Sequence, residues 1–405
     1  MIDISGSLIG LQHEPLIIAE MSGNHNQSLE RALAIVKAAA DAGAHALKLQ
    51  TYTPDTMTID LDEREFHISD PKSLWAGSAL YKLYGEAFTP WEWHKPIFAR
   101  ARELGIVALS TPFDDTAVDL LESLNVPCYK IASFENTDLP LIRRAARTGK
   151  PLIISTGMAT IAELDETVRT ARESGCNDLI LLKCTSTYPA TAENTNILSI
   201  PHMRELFGCE VGLSDHTMGV GVSVAAVAHG ATVIEKHFTL SRSDGGVDSA
   251  FSMEPAEMTQ LVSETKRAWQ ALGQVSYGPT DAELPSLQYR RSLYVVENIK
   301  AGDVLTRANV RAIRPGLGLP PKYLEVVPSH ALHLVSLFCP APLPDTWEVV
   351  PVPAGLRAHL RASAQRLFLC FQQRIANVDT AMMEARHQWA HRILGQVSAM
   401  RVWFR

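Results

Sequence analysis

Short apolar runs recur along the first two-thirds of the chain, each closing on polar side chains. PLIIAE, HALKLQ, IVALSTP, VPCYKI, KPLIIS, LILLKC, EVGLS and TVIEKH begin near residues 16, 45, 106, 128, 151, 179, 210 and 233. Runs this short, bounded by turn signals, predict buried strands. The segments between them, among them SLERALAIVKAAADAG, TIAELDETVRTARESG and GVSVAAVAHG, carry apolar residues at helical spacing. In the first of these, Ser28 is placed to cap the N-terminus and Gly43 the C-terminus. A last helix, PAEMTQLVSETKRAWQALG, follows the eighth run. Eight strand–helix units predict a (β/α)8 TIM barrel over residues 1–273, with its active site at the C-terminal strand ends. One connection, roughly residues 51–90, breaks the rhythm and holds Tyr52, Trp75, Tyr81, Tyr84 and, at its end, Trp91. A connection of that length inside a compact domain belongs to lids and binding loops.

The strand ends carry the chemistry. Glu20, Lys48, Gln50, Thr111, Lys130, Ser133, Glu135, Ser155, Ser186, Tyr188, Ser214, Asp215, His216, Glu235 and His237 all fall there. Any one hydroxyl among them could merely cap the next helix. Eight strand ends behaving alike point to a site. His216 and His237 follow consecutive strands of one strand–helix–strand unit, whose parallel strands open on the same side. Two imidazoles so placed can share a Lewis-acid metal with open coordination positions. Lys48 and Lys130 stand on otherwise apolar strands, where an unpaired cation is costly. With Ser133, Ser155 and Ser214 they would make a phosphate or carboxylate cradle. Ion pairing with Glu20 or Glu135, or a Schiff-base role for a lysine, are the alternatives.

Composition narrows the class. A formal net charge of -7 and a pI near 6.1 argue against a nucleic-acid scaffold. Six cysteines, at 128, 176, 184, 209, 339 and 370, form no C-x-x-C pair, so neither a zinc ribbon nor a disulfide framework is expected. The early Asp3 and a short apolar run argue against a signal peptide. No apolar run reaches membrane-spanning length, and a cytoplasmic location is the expectation. Residues 274–291 have linker composition. From 292 to 350 a small β-rich domain is expected, with Ala301, Gly302 and Asp303 between short strands and Arg314 in a Gly/Pro loop. No lysine follows Lys322, whereas eight arginines do. That shift points to a frameshifted or replaced C-terminus, or a genuine extension, with residues 351–405 an atypical tail in which two stretches carry apolar residues at helical spacing. The five histidines after Lys322, at 330, 333, 359, 387 and 391, lack ligand spacing.

EMSGNHN, KLQTYTPD, STPFD, YKIASFE, ISTGM, CTSTYP, GLSDHT, EKHFT and SMEP, in this order, resemble the sialic acid synthase family. IKAGDVLTRANVRAIRPGLGL is similar to that family's antifreeze-like (SAF) domain, and the resemblance fades near Val327. LSRSDGGVDSAFSMEP, TYTPDTMT and LYGEAFTPWEWH are most similar to the family's pseudaminic acid branch, with the neuraminic and legionaminic branches as alternatives. The resemblance implies condensation of phosphoenolpyruvate with an acetamido sugar, a diacetamido trideoxy sugar in the pseudaminic case, giving a nine-carbon keto acid and phosphate. It implies a divalent ion, Mn2+ or Mg2+, on His216 and His237, with Asp248 near its water shell. Lys48, Thr111, Lys130, Ser133, Ser155, Ser186 and Ser214 would surround phosphoenolpyruvate. Glu20, Gln50 and Tyr188 would sit beside the sugar, and Glu135 would assist water. Arg314 would reach the acetamido group from the partner's SAF domain in a domain-swapped homodimer. A non-catalytic carbohydrate-binding protein is the alternative of another class.

Overall fold

The structure, a computed structural model, describes residues 1–71, 73–298 and 305–325. Two compact units result, Met1–Gln274 and a second that begins at Val275. The first opens with an antiparallel hairpin of β1 (Ile2–Ile4) and β2 (Ser7–Ile9). Eight strands follow: β3 (Leu16–Glu20), β4 (Ala46–Thr51), β5 (Val107–Pro112), β6 (Tyr129–Ile131), β7 (Leu152–Ser155), β8 (Leu179–Cys184), β9 (Glu210–Ser214) and β10 (Val233–His237). They pair in parallel in chain order, and β10 closes on β3, giving the expected (β/α)8 barrel.

Each strand sorts its side chains by parity, as the pleat requires. Leu16 and Ile18, Ala46, Leu109, Cys128, Ile153, Ile180 and Leu182, and Val233 form one buried cluster, the barrel interior. Their neighbours one position along, such as Ile17, Leu47, Tyr129, Ile154, Leu181 and Ile234, pack outward beneath the helices. Ile2, Ile4 and Ile9 belong to the interior cluster, so the N-terminal hairpin stoppers the bottom of the barrel. That hairpin is an addition to the sequence expectation. Gly212 marks a close approach of backbone: a Cβ there would lie 2.2 Å from the Val233 carbonyl and 2.8 Å from Leu182 Cδ2. Only glycine lets β9 approach β10 so closely.

Local signals behave as their chemistry predicts. Ser28 Oγ accepts from Arg31 N at the start of the helix Leu29–Asp41. Ala42 rather than Gly43 caps its end, and Gly43 follows in the left-handed region at φ 84°. Ser133 and Glu135, expected at the end of a strand, stand instead on a 3-10 turn after β6. Asn136 causes the bend, because its amide donates to the carbonyls of Ser155 (3.3 Å) and Gly157 (3.0 Å). The long connection after β4 contains the helices Pro54–Met57 and Leu80–Ala87, with a loop between them closed by a bridge between His67 and Ala79.

In the second unit β11 (Ser292–Val295) pairs antiparallel with β12 (Val310–Ile313). The stretch of linker composition contains a 3-10 helix, Leu284–Tyr289. Ala301–Asp303 and residues 326–405, which include the rest of the expected SAF domain and the atypical tail, lie outside the described residues. Among the described residues no helix is long and apolar enough to cross a membrane.

Candidate active site

Following the interior parity upward converts the apolar core into a polar mouth. Above Ile18 comes Glu20, above Ala46 come Lys48 and Gln50, and above Leu109 comes Thr111. Cys128 is followed by Lys130, Ile153 by Ser155, Leu182 by Cys184, and Val233 by Glu235 and His237. Lys183 and Lys236 have the opposite parity. Lys236 is sealed outside the barrel, where it donates to Asp215 Oδ2 (3.0 Å) and the carbonyls of Thr217 (2.6 Å) and Gly219 (3.0 Å). Parity thus separates two lysines that face the site from two that do not.

The two inward lysines are compensated by carboxylates. Lys48 Nζ lies 2.5 Å from Glu20 Oε2 and 3.7 Å from Glu235 Oε1, and Lys130 Nζ lies 3.5 Å from the same Glu235 oxygen. Ser214 Oγ also donates to Glu235 Oε1 (3.4 Å), and Lys48 Nζ to Thr111 Oγ1 (3.2 Å). Sequence reasoning offered Glu20 or Glu135 as the counter-ions; the ion pairs are with Glu20 and Glu235. Glu135 is off the strand, on its 3-10 turn. Burial lowers Lys48, but Glu20 and Glu235 more than reverse that and its pKa ends raised. For Lys130 burial prevails over Glu235, and its pKa is lowered. Burial opposes ionisation of Glu235, yet Lys130 and Lys48 bring its pKa down. The second oxygen of Glu235 is buried without a hydrogen-bond partner.

A ring of hydroxyls closes around Gly157. Its N–H donates to Ser133 Oγ (3.1 Å), and a Cβ on it would fall 2.1 Å from Ser186 Oγ and 2.6 Å from Ser133 Oγ. Ser155 Oγ beside them is buried with no partner. Buried polar atoms seldom go unpartnered, because each forfeits its hydration. An orphan hydroxyl at a barrel mouth that also holds Lys48 and Lys130 suits a bound anion. Glu135 Oε2 is likewise buried and unpartnered. Burial, only partly offset by Lys130, raises the Glu135 carboxyl to about 7.

His216 and His237 stand with ring centroids 5.3 Å apart. His216 Nδ1 donates to the Thr185 carbonyl (3.0 Å), which fixes its tautomer and leaves Nε2 as a lone-pair donor. His237 Nδ1 is buried without a hydrogen-bond partner and lies 3.5 Å from Asp248 Oδ2. Asp248 accepts from Ser22 Oγ; burial raises its carboxyl, but His237 and Ser22 hold the net value low. Two imidazoles at neighbouring strand ends, one with an orphan nitrogen, fit a divalent ion. Among the described residues no group of three or more His, Cys, Asp or Glu assembles as a ligand set. The imidazole pair could therefore hold an ion whose remaining positions are open to water or substrate. Over the pair lies an aromatic wall: Tyr188 is 4.6 Å from His216, and Phe251 is 4.9 Å from His237.

The mouth thus gathers Glu20, Lys48, Gln50, Thr111, Lys130, Ser133, Glu135, Ser155, Ser186, Tyr188, Ser214, His216, His237 and Asp248 in one unit. Arg314, which directly follows β12, belongs to the second unit. Two residues escaped sequence reasoning. Glu235 was among the strand-end polar residues but had no role. Cys184 was overlooked, although its parity with Leu182 marks it as inward. Burial alone would raise its thiol, but the neighbouring His216, Ser133 and Lys130 bring it down to about 7.

Comparison with known proteins places this constellation. The NeuB family model matches residues 35–277. The pseudaminic acid synthase of Helicobacter pylori is 44% identical over 314 residues, covering 77% of this chain and 92% of that protein. The N,N'-diacetyllegionaminic acid synthase of Legionella pneumophila is 36% identical over 325 residues, covering 78% and 90%. The crystal structure of an N-acetylneuraminic acid (sialic acid) synthetase from Leptospira borgpetersenii in complex with citrate superposes with a TM-score of 0.64 at 30% identity. It covers 71% of this chain and 95% of that one. With the family model and full-length relatives in agreement, and the barrel mouth arranged as described, the chain belongs to the NeuB family, that of the sialic acid synthases.

Proposed function

We propose that the chain condenses phosphoenolpyruvate with 2,4-diacetamido-2,4,6-trideoxy-L-altrose to give pseudaminic acid and phosphate. The observation that carries this reading is the 44% identity to the Helicobacter pylori pseudaminic acid synthase across 92% of its length, against 36% to the legionaminic acid relative. The barrel mouth supports it. Phosphoenolpyruvate brings a carboxylate and a phosphate, and two buried lysines in a mouth that also holds the unpartnered Ser155 hydroxyl suit both. Lys48 and Lys130 exchange Glu20 and Glu235 for the incoming anion, while Thr111, Ser133, Ser155, Ser186 and Ser214 donate to its oxygens. Glu20, Gln50 and Tyr188 flank the sugar.

A divalent ion on His216 and His237, Mn2+ or Mg2+, with Asp248 beside its water shell, would supply Lewis-acid polarisation of the sugar aldehyde. The enol carbon of phosphoenolpyruvate forms the new C–C bond to that aldehyde carbon, whose oxygen is protonated. Water adds at the resulting oxocarbenium carbon, and Glu135, its carboxyl raised to about 7, takes the proton. The C–O bond to phosphate then breaks as the new hydroxyl loses its proton, leaving a ketone and inorganic phosphate. The second unit is read as the start of an SAF domain over residues 292–350. Arg314 of the partner subunit, in a domain-swapped homodimer, contacts the acetamido group.

Incubation with phosphoenolpyruvate and each candidate sugar, reading phosphate released, tests the assignment. Fastest release is expected with the diacetamido trideoxy sugar. Preference for N-acetylmannosamine, or for the sugar precursor of legionaminic acid, would overturn it, and binding of both substrates without phosphate release would favour a non-catalytic carbohydrate binder.

A further inference from the structure

The long connection after β4 does not stop at its own edge of the barrel. Its loop, pinned at the base by the bridge between His67 and Ala79, reaches across to the segment that follows β10. Trp75 Nε1 donates to the Val247 carbonyl (2.9 Å), next to Asp248. The Trp75 ring lies 5.8 Å from Tyr188, and Tyr188 lies 5.3 Å from Phe251. Three aromatic rings, contributed from after β4, β8 and β10, therefore line the approach to His216 and His237. Trp75 is half-buried, with part of its surface open. Neither the ion-pair network nor the hydroxyl ring uses it.

The reaction explains what such a wall would face. The aldehyde carbon must come to the histidines, so the remainder of the sugar extends along the surface above them. A trideoxy sugar bearing two acetamido groups exposes three methyl groups and lacks the terminal hydroxymethyl of ordinary hexosamines. Aromatic faces favour methyl groups and offer nothing to a hydroxyl, which on this surface would lose its water partners. We propose that Trp75 is a specificity-determining residue that packs the apolar, deoxygenated part of the sugar and biases the site toward deoxy acetamido sugars. This rests on the condensation proposed above, with phosphoenolpyruvate seated on the lysine side of the mouth, away from Trp75.

Steady-state kinetics of the full-length, metal-loaded protein tests this, with Trp75→Ala and Trp75→Phe beside wild type. Wild-type turnover of the diacetamido trideoxy sugar tests the underlying assignment by itself. Given that turnover, Trp75→Ala is expected to raise the sugar KM by about tenfold or more. The phosphoenolpyruvate KM should stay within about twofold, and the preference over N-acetylmannosamine should shrink. Trp75→Phe keeps an aromatic face but loses the hydrogen bond to Val247, and it should retain most of the preference. Equal rises in both KM values, or an unchanged sugar KM in Trp75→Ala, would overturn the role. So would a Trp75→Phe variant as impaired as Trp75→Ala, since that result assigns the effect to loop anchoring rather than to the ring.

Discussion

Glu135 is the residue whose environment speaks most directly about chemistry. Its carboxyl is raised to about 7 because burial disfavours the charge more than Lys130 favours it. As the base that takes a proton from water, it must be ionised, so kcat should climb with pH to a plateau above about 7. Glu135→Gln should remove that limb and lower kcat by roughly 10² to 10⁴; a variant that keeps the same limb would show the proton goes elsewhere. The sign for stability is opposite. A carboxyl raised on folding binds its proton more tightly in the native state, so its contribution is present below the ordinary carboxylate range and lost as pH rises through about 7. Thermal melts should therefore find Glu135→Gln more stable than wild type above neutrality. Gly157 gives a steric test. A methyl there would meet Ser186 Oγ and Ser133 Oγ, so Gly157→Ala should lower kcat/KM for phosphoenolpyruvate by about 100-fold with the barrel still folded. Wild-type kinetics would mean that the hydroxyl ring does not hold the anion.

Elements show what the sequence made legible and where it fell short. All eight barrel strands were readable because each is a short apolar run between turn signals, and their polar ends were readable for the same reason. Lys48 and Lys130 stood out as cations on apolar strands, but that signal alone does not set them apart from Lys183 and Lys236; the interior parity of the observed strands does. Their counter-ions were less legible. Choosing between Glu235 and Glu135 required knowing that the chain leaves β6 after Ile131, and Asn136, not any apolar period, sets that bend. The hairpin of β1 and β2 was missed because three-residue strands carry no measurable period. It is nevertheless buried: Ile4 is 1% exposed at the floor of the barrel. Ile4→Ala should cost roughly 2–5 kcal/mol of stability. Because Ile4 lies at the opposite end from the mouth, the surviving folded enzyme should keep its kcat. A denaturation curve unchanged by the substitution would refute the stopper role.

At the scale of the whole molecule, two compact units must cooperate if Arg314 serves a site that lies in the first. If that arginine comes from the partner subunit, a chain lacking it and a chain lacking His216 are defective in different sites. Mixed dimers of Arg314→Ala and His216→Ala chains should then turn over faster than either parent, because one site per dimer regains both groups. Absence of recovery on mixing, with dimers formed, would place Arg314 in its own subunit's site or in none. The account as a whole joins the lysine cradle, the imidazole pair and Glu135 into one condensation, and the fate of a single oxygen examines all three. Phosphoenolpyruvate carrying heavy oxygen at its bridging position should be incubated with the diacetamido trideoxy sugar and the products weighed by mass spectrometry. The account predicts an unlabelled nine-carbon keto acid and labelled phosphate, because water enters at carbon and the C–O bond breaks. A labelled keto acid, or phosphate released without any nine-carbon product, would contradict it.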